Sequence, residues 1–132
     1  MYVAPNYVPL YAGIPSEDQA SRMLEALENT GFYPRRGNVV PVPSYDPYGF
    51  SFSPVQYWRG PVWININWLL MGGLERYGFK EQAAQLRQAT IGLVEEQGFF
   101  EHFNPMNGKG HGSIFFSWTA ALLLDVLMST RR

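Results

Sequence analysis

The 132 residues contain no cysteine, which excludes a disulfide framework and any thiolate metal site. Two histidines, His102 and His111, are too few to close a zinc site, so no metal is expected. Charge is scarce as well: Asp, Glu, Lys and Arg make up 16% of the chain, against about 25% in an average globular protein, and the net charge is −1. No basic run exceeds Arg35-Arg36 or Arg131-Arg132. A polyanion finds no electrostatic footprint here, and nucleic acid is not an expected partner. Nor is a membrane, because the longest apolar stretch, Trp118 to Leu124 and on past Asp125 to Met128, is too short to span one. The absence of cysteine fits cytosol and export alike. Met1 to Asn6 has neither a basic n-region nor an apolar h-region, so the chain reads as lacking a signal peptide and cytoplasmic.

Rings and backbone punctuation are plentiful: 8 Tyr, 9 Phe and 4 Trp stand beside 13 Gly and 10 Pro. A hydrophobic share of 46% excludes disorder, and 132 residues suit a single domain. Ser16 opens the first helix with a capping box completed by Gln19, and Glu17 and Asp18 lie in its first turn. Ala20, Met23, Leu24 and Leu27 recur at helical spacing, with Arg22, Glu25 and Glu28 between them, and Gly31 supplies the stop. Residues 32–60 hold Pro34, Gly37, Pro41, Pro43, Pro47, Gly49, Pro54 and Gly60, so this stretch reads as a long structureless connection, a kind that is usually functional.

A second helix is expected from about Pro61, at the first helical position, to Tyr77; it is apolar all round, and therefore buried. A third runs from about Lys80 to Gln97, with Ala83, Leu86, Thr90, Leu93 and Val94 on one side and Gly98 at its end. Phe99 to Phe115 reads as a loop, and Ser117 to about Arg131 as another helix apolar nearly all round. The pieces repeat: an amphipathic helix ends in Gly-Phe (Gly31-Phe32, Gly98-Phe99), and a loop leads to an aromatic-led buried helix (Trp58 and Trp63, then Trp118). The expected fold is all-α, about four helices in hairpins of a two-layered toroid with long Gly/Pro/aromatic loops. Four helices cannot close such a ring, so either copies associate or the rest of the ring lies on another segment.

With no Cys and no Ser-His-Asp set, carboxylates are the main catalytic option. Of the eleven, Glu17, Asp18 and Glu81 are first-turn residues, and Glu25, Glu28, Glu75, Glu95 and Glu96 sit on or beside wet helix faces. Asp46, in Ser44-Tyr45-Asp46-Pro47, reads as a turn residue bonding its own backbone, and Asp125 as a polar edge or a paired group. Glu101 differs, lying off the helices among Phe99, Phe100, His102 and Phe103. Aromatic walls suit a carboxylate to general-base work, yet a loop Glu with a solvated head fits the same residues. His102 either orients Glu101 or caps the loop, and His111, amid glycines, is expected to be exposed. Tyr57, Trp58, Trp63 and Trp68 are either core or, with Arg59, Asn65 and Asn67 beside them, an apolar face flanked by fixed donors of the kind a sugar ring needs.

Tyr57-Trp58-Arg59-Gly60-Pro61-Val62-Trp63-Ile64-Asn65-Ile66-Asn67-Trp68 resembles the signature of glycoside hydrolase family 63 and its relatives, the mannosylglycerate and glucosylglycerate hydrolases. Gly98-Phe99-Phe100-Glu101-His102-Phe103-Asn104-Pro105, Gly108 to Gly112, and Phe116 to Leu122 are similar to the family's second block, and Val8 to Ile14 to its entry. The resemblance implies that residues 1–132 are a C-terminal portion of an (α/α)6 barrel that hydrolyses α-glycosidic bonds with inversion and without a cofactor. It implies Glu101 as general base and a small carbohydrate bound by Tyr57, Trp58 and Trp63, with Arg59 and Gly60 shaping that loop. In the family the general acid is an Asp in a much earlier segment, and nothing in this chain corresponds to it. The chain is thus expected to be catalytically incomplete alone, completed by the N-terminal barrel segment or by self-association through apolar faces of the Pro61–Tyr77 and Ser117–Arg131 helices. A second reading is a non-catalytic carbohydrate-binding or self-assembling helical module derived from such an enzyme.

Overall fold

The computed structural model describes residues 3–29 and 41–129. A turn of 3-10 helix over Ala4–Tyr7 runs into a short helix, α1 (Val8–Ala12). Helix α2 (Glu17–Asn29) begins as the capping box requires: Ser16 N–H donates to Gln19 Oε1 at 2.8 Å, and Gln19 N–H to Ser16 Oγ at 3.3 Å. Ala20, Leu24 and Leu27 are buried, Met23 is half-buried, and Arg22, Glu25 and Glu28 are exposed. The expected stop at Gly31, the Gly31-Phe32 half of the repeat, Pro34, Gly37, Arg35-Arg36 and Arg131-Arg132 lie outside the described residues.

Helix α3 (Ile64–Arg76) is the member that α1, α4 (Lys80–Gln97) and α5 (Ser117–Ser129) all pack against. From Pro61 to Leu74 no residue is exposed, as an all-round apolar pattern demands. The helix nevertheless starts later than expected. Trp63 is still extended (φ −116°, ψ 128°), because the Pro61 carbonyl accepts from Ser44 N–H at 2.9 Å and Val62 is paired with Phe103; Pro61 is therefore not a first helical residue. The preceding connection is not structureless either. Pro41 to Tyr45 are buried, Pro43 bridges to Val62, and Tyr45 bridges to Val3. These are pairings between distant segments, which local Gly and Pro signals do not register.

Helix α4 has the expected bounds and buries Ala83, Leu86, Thr90, Leu93 and Val94, with Ala89 in addition. Helix α5 shows the apolar face expected of it, burying only Thr119, Leu123 and Val126 while Trp118, Leu124, Leu127 and Met128 are exposed. Helix α3, expected to expose one as well, does not, because its neighbours cover it. Within the described residues α5 is covered on one side, by α3 and α4. Arg87 locks this corner, donating to the Val126 carbonyl (3.0 Å) and Ser129 Oγ (2.8 Å) and pairing with Glu75. The fold is all-α, with α4 packed on the buried α3 and the apolar face of α2 contributing to the same core cluster. No helix among the described residues is long and apolar enough to cross a membrane.

Asn67 is fully buried and stitches the connection onto α3. Its Oδ1 accepts from Val42 N–H (2.7 Å), and its Nδ2 donates to the carbonyls of Val42 and Trp63 (both 2.9 Å). Leaving buried backbone groups without partners costs roughly 1–3 kcal/mol each. Asn67→Leu is therefore expected to lower unfolding free energy by about 2–4 kcal/mol in urea titration, whereas Asn65→Leu changes it by less than about 1 kcal/mol.

Candidate active site

Phe99 to Phe115, expected as a loop, contains a hairpin of two short strands, β1 (His102–Phe103) and β2 (Gly110–His111), with His102 opposite His111 and Phe103 opposite Gly110. Asn104 forms the turn: its N–H donates to the Lys109 carbonyl, its carbonyl accepts from Gly108 N–H (both 2.8 Å), and its Oδ1 accepts from Met106 N–H (2.8 Å). On its other side Phe103 pairs with Val62 through two backbone bonds, Val62 N–H to Phe103 O (2.8 Å) and Phe103 N–H to Val62 O (2.9 Å). This bridge brings together the two motif blocks that the sequence keeps far apart.

Trp63, next after Val62, consequently lies against His102, with ring centroids 5.1 Å apart. Trp58 stacks on Trp63 at 4.2 Å with 12° between the planes, and Tyr57 meets Trp63 (4.9 Å) and Trp58 (5.8 Å) edge-on. The two readings of these rings divide between residues. Trp63 is core, 2% exposed, whereas Trp58 and Tyr57 are 39% and 56% exposed. Trp63 Nε1–H donates to the Tyr57 carbonyl at 2.8 Å and so supports a turn in which Tyr57 has a φ of 31°, a strained value for a residue with a side chain. Buried Trp63 is a fixed base on which Trp58 presents open indole surface, suited to the C–H face of a sugar.

Arg59 and Gly60 act on the loop itself. Arg59 Nε donates to the Ser51 carbonyl (3.0 Å) and Nη1 to Gln56 Oε1 (2.9 Å). Gly60 passes so close to residue 53 that a Cβ would stand 2.2 Å from the Ser53 carbonyl oxygen. Asn67 does not provide the expected sugar-facing donor, being fully engaged with Val42 and Trp63, while Asn65 Oδ1 accepts from Ile66 N–H at 2.9 Å. Trp68 turns to another contact, donating its indole N–H to Asp125 Oδ2 at 2.7 Å, which makes Asp125 a paired group. Asp46 bonds its own turn through Tyr48 N–H (2.9 Å).

Glu101 is half-buried, and its carboxylate accepts from the Ser113 backbone N–H at 3.0 Å. His102 is 6% exposed, and its Nδ1 is buried without a partner among the described residues, so Nδ1 neither orients Glu101 nor caps the loop. Burial holds the His102 imidazole below the ordinary 6.5; the Glu101 carboxylate pulls it back up, and His111 opposes that. His111 is half-buried rather than exposed, because strand pairing sets it 6.2 Å from the His102 ring. Ser113 was not among the residues singled out by sequence. The alternating Gly108, Gly110 and Gly112 beside a ring-rich segment were the available signal for a hairpin in close contact with Glu101.

A family model described as the mannosylglycerate hydrolase MGH1-like glycoside hydrolase domain matches residues 4–119. The chain is 54% identical over 125 residues to the mannosylglycerate hydrolase of Rubrobacter radiotolerans, covering 95% of this chain and 28% of that protein. It is 36% identical over 126 residues to the glucosylglycerate hydrolase of Mycolicibacterium hassiacum, with 94% and 28% covered. Among solved structures, the glycoside hydrolase family 63 mannosylglycerate hydrolase of Thermus thermophilus in complex with glucose superposes with a TM-score of 0.84 at 37% identity, over 97% of this chain and 31% of that one. The chain thus spans less than a third of the length of these relatives.

The lowered His102 value fixes a sign for acid stability. Below 6.5 the unfolded imidazole takes up a proton that the folded one resists, so stability falls with pH from there until the folded group protonates too; above 6.5 His102 contributes no slope. Urea midpoints measured from about pH 7.5 down to about 5 should drop less steeply in His102→Phe than in the wild type. Equal slopes would remove His102 as the cause.

Proposed function

The chain belongs to the mannosylglycerate hydrolase MGH1-like glycoside hydrolase family, and on that premise we propose that it carries the water-activating half of an inverting α-glycosidase. The substrate class is a small glucoside or mannoside of the glucosylglycerate or mannosylglycerate kind. Residues 1–132 are, on this reading, a C-terminal portion of an (α/α)6 barrel, with a cytoplasmic location. The observation that carries the proposal is the Val62–Phe103 pairing, which sets the strand next to Glu101 against the Trp63–Trp58 stack.

Glu101 is the general base: its carboxylate takes a proton from water as the water oxygen attacks the anomeric carbon. Trp58 and Tyr57 hold the sugar on the base formed by Trp63, while Arg59 and Gly60 keep the loop in shape. Inversion places a second carboxyl group across the bond, about 6.5–9.5 Å from the first, to protonate the departing oxygen. That acid lies outside these residues, so the chain alone is catalytically incomplete. The exposed Trp118, Leu124, Leu127 and Met128 of α5 support completion by further barrel helices. The same face favours a second reading, a non-catalytic sugar-binding module that associates with its own copies.

One experiment separates these, and a second tests the apolar face common to both. Exchanging the matching 28% of the Rubrobacter radiotolerans enzyme for this chain should give a hydrolase of mannosylglycerate or glucosylglycerate that Glu101→Gln slows by about 10²- to 10⁴-fold. An unchanged rate in Glu101→Gln would sink the base assignment. Sedimentation of the isolated chain should show self-association that Leu124→Glu with Leu127→Glu abolishes; a well-behaved monomer counts against an unsatisfied apolar face.

A further inference from the structure

The hairpin extends beyond its strands in an unequal way. Glu101 N–H donates to the Ser113 carbonyl at 2.9 Å, one residue past Gly112, which the strand register sets opposite Glu101. Ser113 N–H, however, returns to the Glu101 side chain, reaching Oε2 at 3.0 Å. One residue thus grips both the backbone and the carboxylate of Glu101.

Gly112 makes that grip sterically available. Its φ is 75°, in the left-handed region, and a Cβ added there would stand 2.6 Å from Glu101 Oε2 and 2.8 Å from Glu101 Cβ. The space that any other side chain at this position would fill is occupied by the carboxylate. A backbone N–H bonded to a carboxylate is a charge-assisted bond, shorter and stronger than a neutral one. Oε1 has no partner among the described residues.

We infer that Gly112 and the Ser113 amide are positioning elements for Glu101: they hold Oε2, and Oε1 is the oxygen left to take the proton from the attacking water. The inference rests on reading Glu101 as the general base and adds which of its atoms works and what holds the other one still. A glutamate has three rotatable side-chain bonds, and a carboxylate free to turn would present either oxygen at varying distance from the water. With Oε2 bonded to the Ser113 amide, one orientation of the carboxylate is favoured.

The test uses the 132-residue chain with uniform nitrogen-15 and carbon-13 labelling. The Ser113 amide resonance, followed against pH, is expected to move in a single step that tracks the Glu101 carboxylate signal. That step should vanish in Glu101→Asp, whose carboxylate is one methylene too short to reach, and in Gly112→Ala, whose methyl displaces it. The amide resonances of His102 and His111 report the hairpin and should persist in both variants. If Gly112→Ala does not fold, Glu101→Asp decides alone. A Ser113 amide that does not titrate in the wild type, or titrates unchanged in Glu101→Asp, overturns the inference. Failure of the base reading shows differently: hydrolysis by the chimeric enzyme would then survive Glu101→Gln, whatever the Ser113 amide does.

Discussion

Two backbone hydrogen bonds between Val62 and Phe103 hold the architecture of this chain together. Both residues are fully buried, so these amide and carbonyl groups have no water to fall back on. Each bond is worth only about 0.5–1.5 kcal/mol net when made, but roughly 1–3 kcal/mol is lost per group when one is left open. The asymmetry gives the contact its authority. It delays the start of α3 until Ile64, swings Trp63 onto His102, and holds the end of the hairpin that bears Glu101 beside the Trp58–Trp63 stack. Asn67 extends the same seam by closing Val42 onto α3, so the segment before α3 is anchored at both ends by polar groups that cannot be released cheaply.

The rest of the fold divides by what is covered and what is not. Helix α3 is enclosed by α1, α4, α5 and the connection before it, and its apolar surface is satisfied within the chain. Helix α5 is equally apolar in sequence but, among the described residues, meets neighbours on one side only. A row of exposed Trp118, Leu124, Leu127 and Met128 is more than a lone domain of this size needs on its surface, and it suits a piece of a ring with another helical hairpin next to it. That agrees with a chain that covers 28% of a family member while retaining 54% identity to it.

Local rules made much of this readable. The Ser16–Gln19 box, the spacing of Ala20, Leu24 and Leu27, and the bounds of α4 depend on residues within a turn or two of each other. The readings of the other carboxylates held for the same reason: Asp46 bonds its own turn, and the helix-borne acids lie on wet faces. Long-range pairing was not readable. Pro61 has every local mark of a first helical residue, yet its carbonyl belongs to Ser44; Asn67 looks like a free donor beside tryptophans, yet Val42 claims it. His111 sits among glycines and looks exposed until β1 is placed opposite it.

The sequence by itself determined helices α2 to α5, the buried character of α3, the resemblance to a family, and the small set of residues among which chemistry was to be sought. These follow from composition, periodicity and motif, which are properties of neighbouring residues. The tertiary structure alone decided which rings are core and which are open, which asparagine is structural, that α5 keeps an uncovered face, and that Ser113 holds one oxygen of Glu101. Each of those depends on groups distant in the chain competing for the same buried hydrogen bond or the same space, and such a competition has no outcome until the chain is folded.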